Sequence, residues 1–216
     1  MHCISNPNTF IHTQVNLPLS KSIINRLLVI HHFSGSQPVS EMISGSSDTV
    51  VMQNLLHEIQ KNTGIVDKVT EINVGNAGTV MRFLTALLAI TPGTWLITGT
   101  ERMKQRPVRP LTDALQSLGA DLSFGKTPGY PPVSITGNQN LKGGIVKLNA
   151  GISSQFISAM MMLGPLLKGG LSIDLQGNII SASYIRMTQA LMQKAGAEVI
   201  FNENILTIAE GKYKEF

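Results

Sequence analysis

Thr112-Asp-Ala-Leu115-Gln-Ser-Leu-Gly119-Ala-Asp121 and Thr188-Gln-Ala-Leu191-Met-Gln-Lys-Ala-Gly196-Ala-Glu198 are two versions of one segment. Their Thr-x-Ala-Leu blocks lie 76 residues apart and their Gly-Ala-acid blocks 77 apart, so one residue has been inserted between them. Upstream, Gly78-Thr79 opens an apolar stretch, and Ser153-Ser154 opens another 75 residues later. Offsets that agree at separate places indicate a duplicated unit of about 75 residues. A shorter third copy starts at Ser20-Lys21-Ser22, runs through 50–60 and ends near Gly75.

Each copy reads alike. A polar loop gives way to an apolar helix, over 22–33, 79–90 and 154–167; in the first, Ile24, Leu27, Leu28 and His31 form an i, i+3, i+4, i+7 stripe. Gly35, Pro92-Gly93 and Gly169-Gly170 are stop signals. Strand-like runs follow at 95–98 and 171–175, then amphipathic helices at 109–118 and 184–195, then strands at 199–201 and 205–208. Helices alternating with strands make the class α/β or α+β. The weakly charged first helices are expected to be buried together.

Composition narrows the function. With 216 residues and 43% hydrophobic content the chain can build a core, which excludes a disordered protein. The single cysteine, Cys3, excludes a disulfide framework and a cysteine-based zinc site. The scattered histidines give no metal-ligand set, so no metal is expected. Residues 1–14 lack the apolar run of a signal peptide, and 159–167 is too short to span a membrane. A soluble cytoplasmic protein is expected. The net charge of +4 is compatible with nucleic acid, with anionic metabolites or with nothing in particular, so the placement of the cations decides more than their number.

Many cations flank helix starts, where unpaired N–H groups and the helix dipole favour anions. Ser22 and Arg26 share a face in the first copy, with Lys21 just before them. Ser22 as a plain N-cap is the competing reading. Asn76-Ala-Gly78-Thr79 is the equivalent loop of the second copy, with Arg82 just inside the helix. Ser153-Ser154-Gln155 opens the third helix, where Ser154 is either a ligand contact or a cap. Arg102, Lys104, Arg106 and Arg109 form a basic run, and Pro107 puts Arg106 at a helix start. No P-loop or dinucleotide fingerprint occurs. Met160-Met161-Met162 reads as core.

Taken together, Leu17-Pro-Leu-Ser20-Lys21-Ser22-Ile-Ile-Asn25-Arg26, Gly75-Asn76-Ala77-Gly78-Thr79-Val-Met81-Arg82, Arg102-Met-Lys-Gln-Arg106-Pro, Tyr130-Pro-Pro and Ser153-Ser154-Gln155-Phe156 resemble the motifs of the EPSP synthase family in order and spacing. The resemblance spans about 15–211. It implies one domain of the two-domain enolpyruvyl transferase fold, with three βαβαββ repeats around parallel buried helices whose N-termini face the interdomain cleft. Residues 14–211 would be the shikimate 3-phosphate-binding domain, in repeats of about 14–75, 76–144 and 145–211. Residues 1–13 would belong to the second domain, and 212–216 to the crossover towards it. Family chains are about twice as long, so this one resembles the N-terminal half, and the missing C-terminal domain is the expected partner.

The implied activity is carboxyvinyl transfer from phosphoenolpyruvate to the 5-hydroxyl of shikimate 3-phosphate, in the shikimate pathway of aromatic amino-acid and chorismate biosynthesis, without a cofactor. By resemblance Lys21 is catalytic and touches both substrates. Ser22, Arg26, Ser153, Ser154, Gln155, Ser181 and Tyr184 would join it on shikimate 3-phosphate. Asn76, Gly78, Arg106 and Gln155 would join it on phosphoenolpyruvate. The family's proton-moving carboxylates come from the other half, so this chain is expected to bind without turnover. Leu19, Ile24 and Ser181-Ala-Ser-Tyr184 depart from the family pattern.

Two alternatives follow from the same residues. The UDP-N-acetylglucosamine enolpyruvyl transferases share fold and chemistry but use a cleft cysteine, and the one cysteine here is Cys3. A basic nucleic-acid-binding repeat protein, like RNA-terminal phosphate cyclase, would need a histidine nucleophile motif and more aromatics than 5%. The resemblance thus points to small-molecule substrates, with neither nucleic acid nor membrane as partner.

Overall fold

The computed structural model describes residues 20–36 and 47–215. Cys3, Leu19 and the segment 1–13 lie outside the described residues. The order of elements is α1 (Lys21–Ser34), α2 (Ser47–Asn62), β1 (Val69–Asn73), α3 (Gly78–Ile90), β2 (Gly93–Thr98), α4 (Glu101–Lys104), α5 (Arg109–Ser117), β3 (Asp121–Phe124) and β4 (Val133–Gly137). There follow β5 (Lys142–Asn149), α6 (Ser154–Leu163), a 3-10 turn (Gly164–Leu166), β6 (Lys168–Gln176), α7 (Ala182–Lys194), β7 (Val199–Asn202) and β8 (Ile205–Ile208).

Two four-stranded mixed sheets have the same topology, β1-β2-β4-β3 and β5-β6-β8-β7. In each, the first pair is parallel and the other two are antiparallel. Two complete βαβαββ units are therefore present, from β1 to β4 and from β5 to β8; α1 and α2 supply the helices of a third. The repeated Leu/Ala-Gly-Ala segment has a physical cause. Gly119 and Gly196 adopt φ of 92° and 84°, a left-handed conformation that costs glycine little. Gly119 N–H donates to Gln116 O (2.9 Å) and Ala120 N–H to Leu115 O (3.1 Å). Gly196 N–H donates to Gln193 O (3.0 Å) and Ala197 N–H to Met192 O (3.0 Å), the same Schellman ending in both units.

The core is built from α1, α3 and α6. Every residue of α3 except Thr79 and Ile90, and every residue of α6 except Gln155, is buried. α3 packs against both α1 and α6. Matching positions meet across the helices: Gln155 Nε2 donates to Thr79 Oγ1 (2.9 Å) in the first turns of α6 and α3. One turn further in, Arg26 of α1 reaches Ser158 of α6. All three helices start at the same end of the bundle and run alongside one another, so their positive ends add.

The helix 154–167 expected from sequence stops at Leu163, because Pro165 cannot continue the α-helical bonding and the chain tightens into the 3-10 turn. No helix of the described residues is long and apolar enough to cross a membrane.

Candidate functional site

The first turns of α1, α3, α6 and α7 converge on a cavity of about 290 Å³. Ser22 and Arg26 line it from α1, Thr79 from α3, Ile152, Ser153, Ser154 and Gln155 from the loop and start of α6, and Ser181 and Tyr184 from the start of α7. Ser22, Arg26, Ser153, Ser154, Gln155, Ser181 and Tyr184 were thus scattered along the sequence and meet here. Both cap alternatives are settled by the backbone. Ser20 takes the N-cap position of α1, which leaves Ser22 inside the first turn. Ser153 caps α6 by accepting from Gln155 N–H (3.2 Å), so Ser154 is not the cap.

Arg26 is 2% exposed and held on three sides. Nε donates to Thr188 Oγ1 (2.7 Å), Nη2 to Ser158 Oγ (2.9 Å) and Nη1 to Ser22 O (2.8 Å). Its guanidinium also lies near the rings of Phe83 and Tyr184. It forms no ion pair with a carboxylate among the described residues. Burial lowers its pKa to about 10, still far above neutrality, so the cation keeps its charge in a site with no anion of its own.

A second cavity, of about 380 Å³, is lined by Asn76, Arg102 and Arg106. Asn76 Oδ1 accepts from Thr100 Oγ1, which ties the loop before α3 to the loop before α4. Gly78 lies directly under Arg106: a Cβ there would meet the Arg106 guanidinium, so glycine lets that side chain lie across the start of α3. Arg82, 7% exposed, donates from Nη1 to Gly78 O (2.9 Å) and lies over Phe156, while its buried Nε has no partner. Burial, and then the like charge of Arg106, lower its pKa to about 10. The basic run divides: Lys104 pairs with Glu101 (2.8 Å) on the surface, whereas Arg102 and Arg106 face the cavity. Arg106 sits in the turn after α4, not at the start of α5. That helix begins at Arg109 with Pro110 in its first turn, so Pro107 does not open it.

Lys21 lines neither cavity. Its Nζ stands 2.6 Å from Asp48 Oδ2 in the first turn of α2, with the lysine side chain 48% exposed. Asp48, Ser158 and Thr188 escaped the sequence reading. For Thr188 a signal existed, since it opens the repeated Thr-x-Ala-Leu block. Thr112, its counterpart, is equally buried and bonds back to Arg109 O (3.0 Å). Among the described residues no group of His, Cys, Asp or Glu is placed to hold a metal ion.

The family model of EPSP synthase (3-phosphoshikimate 1-carboxyvinyltransferase) matches residues 6–214. The 3-phosphoshikimate 1-carboxyvinyltransferase of Bacteroides fragilis is 45% identical over 183 residues, which cover 85% of this chain and 42% of that protein. That of Shewanella amazonensis is 36% identical over 218 residues, covering 92% and 50%. A solved structure of EPSP synthase from Acinetobacter baumannii matches the fold with a TM-score of 0.70 at 20% identity, over 93% of this chain and 47% of that one. The chain spans about half the length of the curated relatives it matches. By the match along nearly its whole length, this chain belongs to the EPSP synthase family.

Proposed function

We propose that the chain is the shikimate 3-phosphate-binding part of a 3-phosphoshikimate 1-carboxyvinyltransferase. The observation that carries this reading is the buried, carboxylate-free Arg26 at the shared start of three parallel helices, beside a cavity lined by hydroxyls and an amide. Hydroxyls suit a polyol ring. A desolvated cation and helix N-termini suit its phosphate or carboxylate. Ser22, Ser153, Ser154, Gln155, Ser181 and Tyr184 complete that subsite, and Lys21 leaves Asp48 to serve both substrates. Asn76, Gly78 and Arg106 form the phosphoenolpyruvate subsite, with Gln155 between the two.

In the transfer, the 5-hydroxyl adds to the enol carbon and phosphate leaves from the tetrahedral intermediate. The cations and N–H groups hold several anionic groups together while charge shifts among them. Among the described residues no carboxylate lines either cavity. Proton movement is therefore assigned to a partner domain, and the chain alone binds without turning over. The same reading puts the protein in the cytoplasm, in aromatic amino-acid biosynthesis, with no role for nucleic acid or membrane. The cleft-cysteine and nucleic-acid alternatives gain no support from the family match.

Isothermal titration with shikimate 3-phosphate tests this. Saturable binding at one site is expected, with no phosphate released after phosphoenolpyruvate is added. Absence of binding at millimolar ligand would overturn the reading, and turnover by the chain alone would overturn its division of labour.

A further inference from the structure

Thr188 and Ser158 have no place in the ligand contacts proposed above, yet they organise Arg26. A guanidinium carries one N–H on Nε and a pair on each terminal nitrogen, with Nε and Nη2 forming one edge of its plane. That edge is filled: Nε–H donates to Thr188 Oγ1 and Nη2–H to Ser158 Oγ, and these oxygens are 2.8 Å apart. Thr188 Oγ1 in turn donates to Tyr184 O (2.8 Å). A hydroxyl has one proton, so this fixes the direction of the chain: Ser158 donates to Thr188, Thr188 to Tyr184 O, and both oxygens accept from Arg26. Nη1 gives one proton to Ser22 O. One N–H then remains on each of Nη1 and Nη2, the pair that matches two oxygens of a carboxylate or phosphate.

We infer that the Ser158–Thr188 hydroxyl pair is a positioning element, which locks one edge of Arg26 and presents the Nη1/Nη2 end to an anionic group in the cavity. This rests on the binding function proposed above. Neutral hydroxyls do what a carboxylate could not: they fix the plane without spending the charge the ligand must meet. Both residues are 0% exposed and line neither cavity, so neither meets the ligand itself.

The test follows the Arg26 Nε–H resonance by NMR, assigned by its loss in Arg26→Lys, together with titrations of shikimate 3-phosphate and inorganic phosphate. The wild-type signal should exchange slowly with water. Thr188→Val and Ser158→Ala should each speed that exchange and weaken shikimate 3-phosphate by about tenfold or more. Thr188→Ser and Ser158→Thr, which restore the hydroxyl, should recover both. A purely structural hydroxyl pair would lower stability while leaving affinity intact, and that result overturns the proposal. Should Thr188→Val fail to fold, Ser158→Ala carries the test alone. If the wild type does not bind shikimate 3-phosphate, the proposed function falls, and the positioning claim is judged with inorganic phosphate. A phosphate-induced shift at Arg26 that vanishes in Ser158→Ala supports it; an equal shift in both proteins, or none in the wild type, overturns it.

Discussion

Arg26 and Arg82 hold matching places in successive units and differ in how they are kept. Each lies near the start of a buried helix, returns Nη1 to the carbonyl one turn back, and sits over a phenylalanine of a neighbouring helix. Arg26 is further bonded by two hydroxyls, whereas Arg82 leaves Nε unpartnered and faces the like charge of Arg106. One helix start thus holds its cation with three hydrogen bonds. The other sets two like charges against each other, one of them with an unpartnered Nε. Duplication supplied one backbone device, and a few side chains give it two different electrostatic settings.

The sharpest way to break this comparison is the same substitution at both places. Arg26→Met removes a buried group that makes three hydrogen bonds, and takes from the Ser158 and Thr188 oxygens the bonds they accept from it, so stability should fall by about 2–3 kcal/mol. Shikimate 3-phosphate affinity should drop by roughly a hundredfold. At 2% exposure Arg26 is part of the core as well as of the cavity, so its loss is felt in both. Arg82→Met replaces an incompletely bonded, repelled cation with an apolar chain of similar reach. Stability should hold or rise by up to about 2 kcal/mol. Urea unfolding of both variants decides the matter, and equal destabilisation would erase the distinction drawn here.

Gly78→Ala sharpens the comparison at the second cavity. The new methyl would push the Arg106 guanidinium from its place, which costs little in stability because the end of a flexible side chain moves. Phosphoenolpyruvate should bind roughly tenfold more weakly, with shikimate 3-phosphate binding unchanged, as two titrations would read. The smallest effect is expected at Asp48→Asn. The Lys21–Asp48 pair is half-exposed on the lysine side, so its loss should cost no more than about 1 kcal/mol. The difference from wild type in urea should shrink further in high salt.

The helices and the repeat were legible because their causes are local. A glycine required by a Schellman ending, and apolar runs closed by Gly or Pro, are written within a few residues of where they act. β5 was not legible: Gly143-Gly144 and exposed Ile145 break the alternation, and its pairing with β6 is set by the sheet. Ser22, Arg26, Asn76, Gly78 and Ser153-Ser154-Gln155 stand out by their place at helix starts, Ser181 and Tyr184 only by the family resemblance, and Ile152 not at all. The supports of Arg26 were not legible, since Ser158 lies in an apolar helix and reads as filler until Arg26, 132 residues earlier, is brought against it. Asp48 was missed for the same reason, because only the packing of α2 on α1 puts it beside Lys21.

The central claim is that the cavity at the shared helix start takes shikimate 3-phosphate and the Asn76–Arg106 cavity takes phosphoenolpyruvate. Chemical-shift mapping of the isotope-labelled chain tests it most directly. Shikimate 3-phosphate should move the amides of Ser22, Ser153, Ser154, Gln155 and Ser181 and the Arg26 side chain, leaving Asn76, Gly78 and Arg106 still until phosphoenolpyruvate is added. Shifts that begin at Asn76 and Arg106 with shikimate 3-phosphate alone, or that bypass the starts of α1 and α6, would contradict the account.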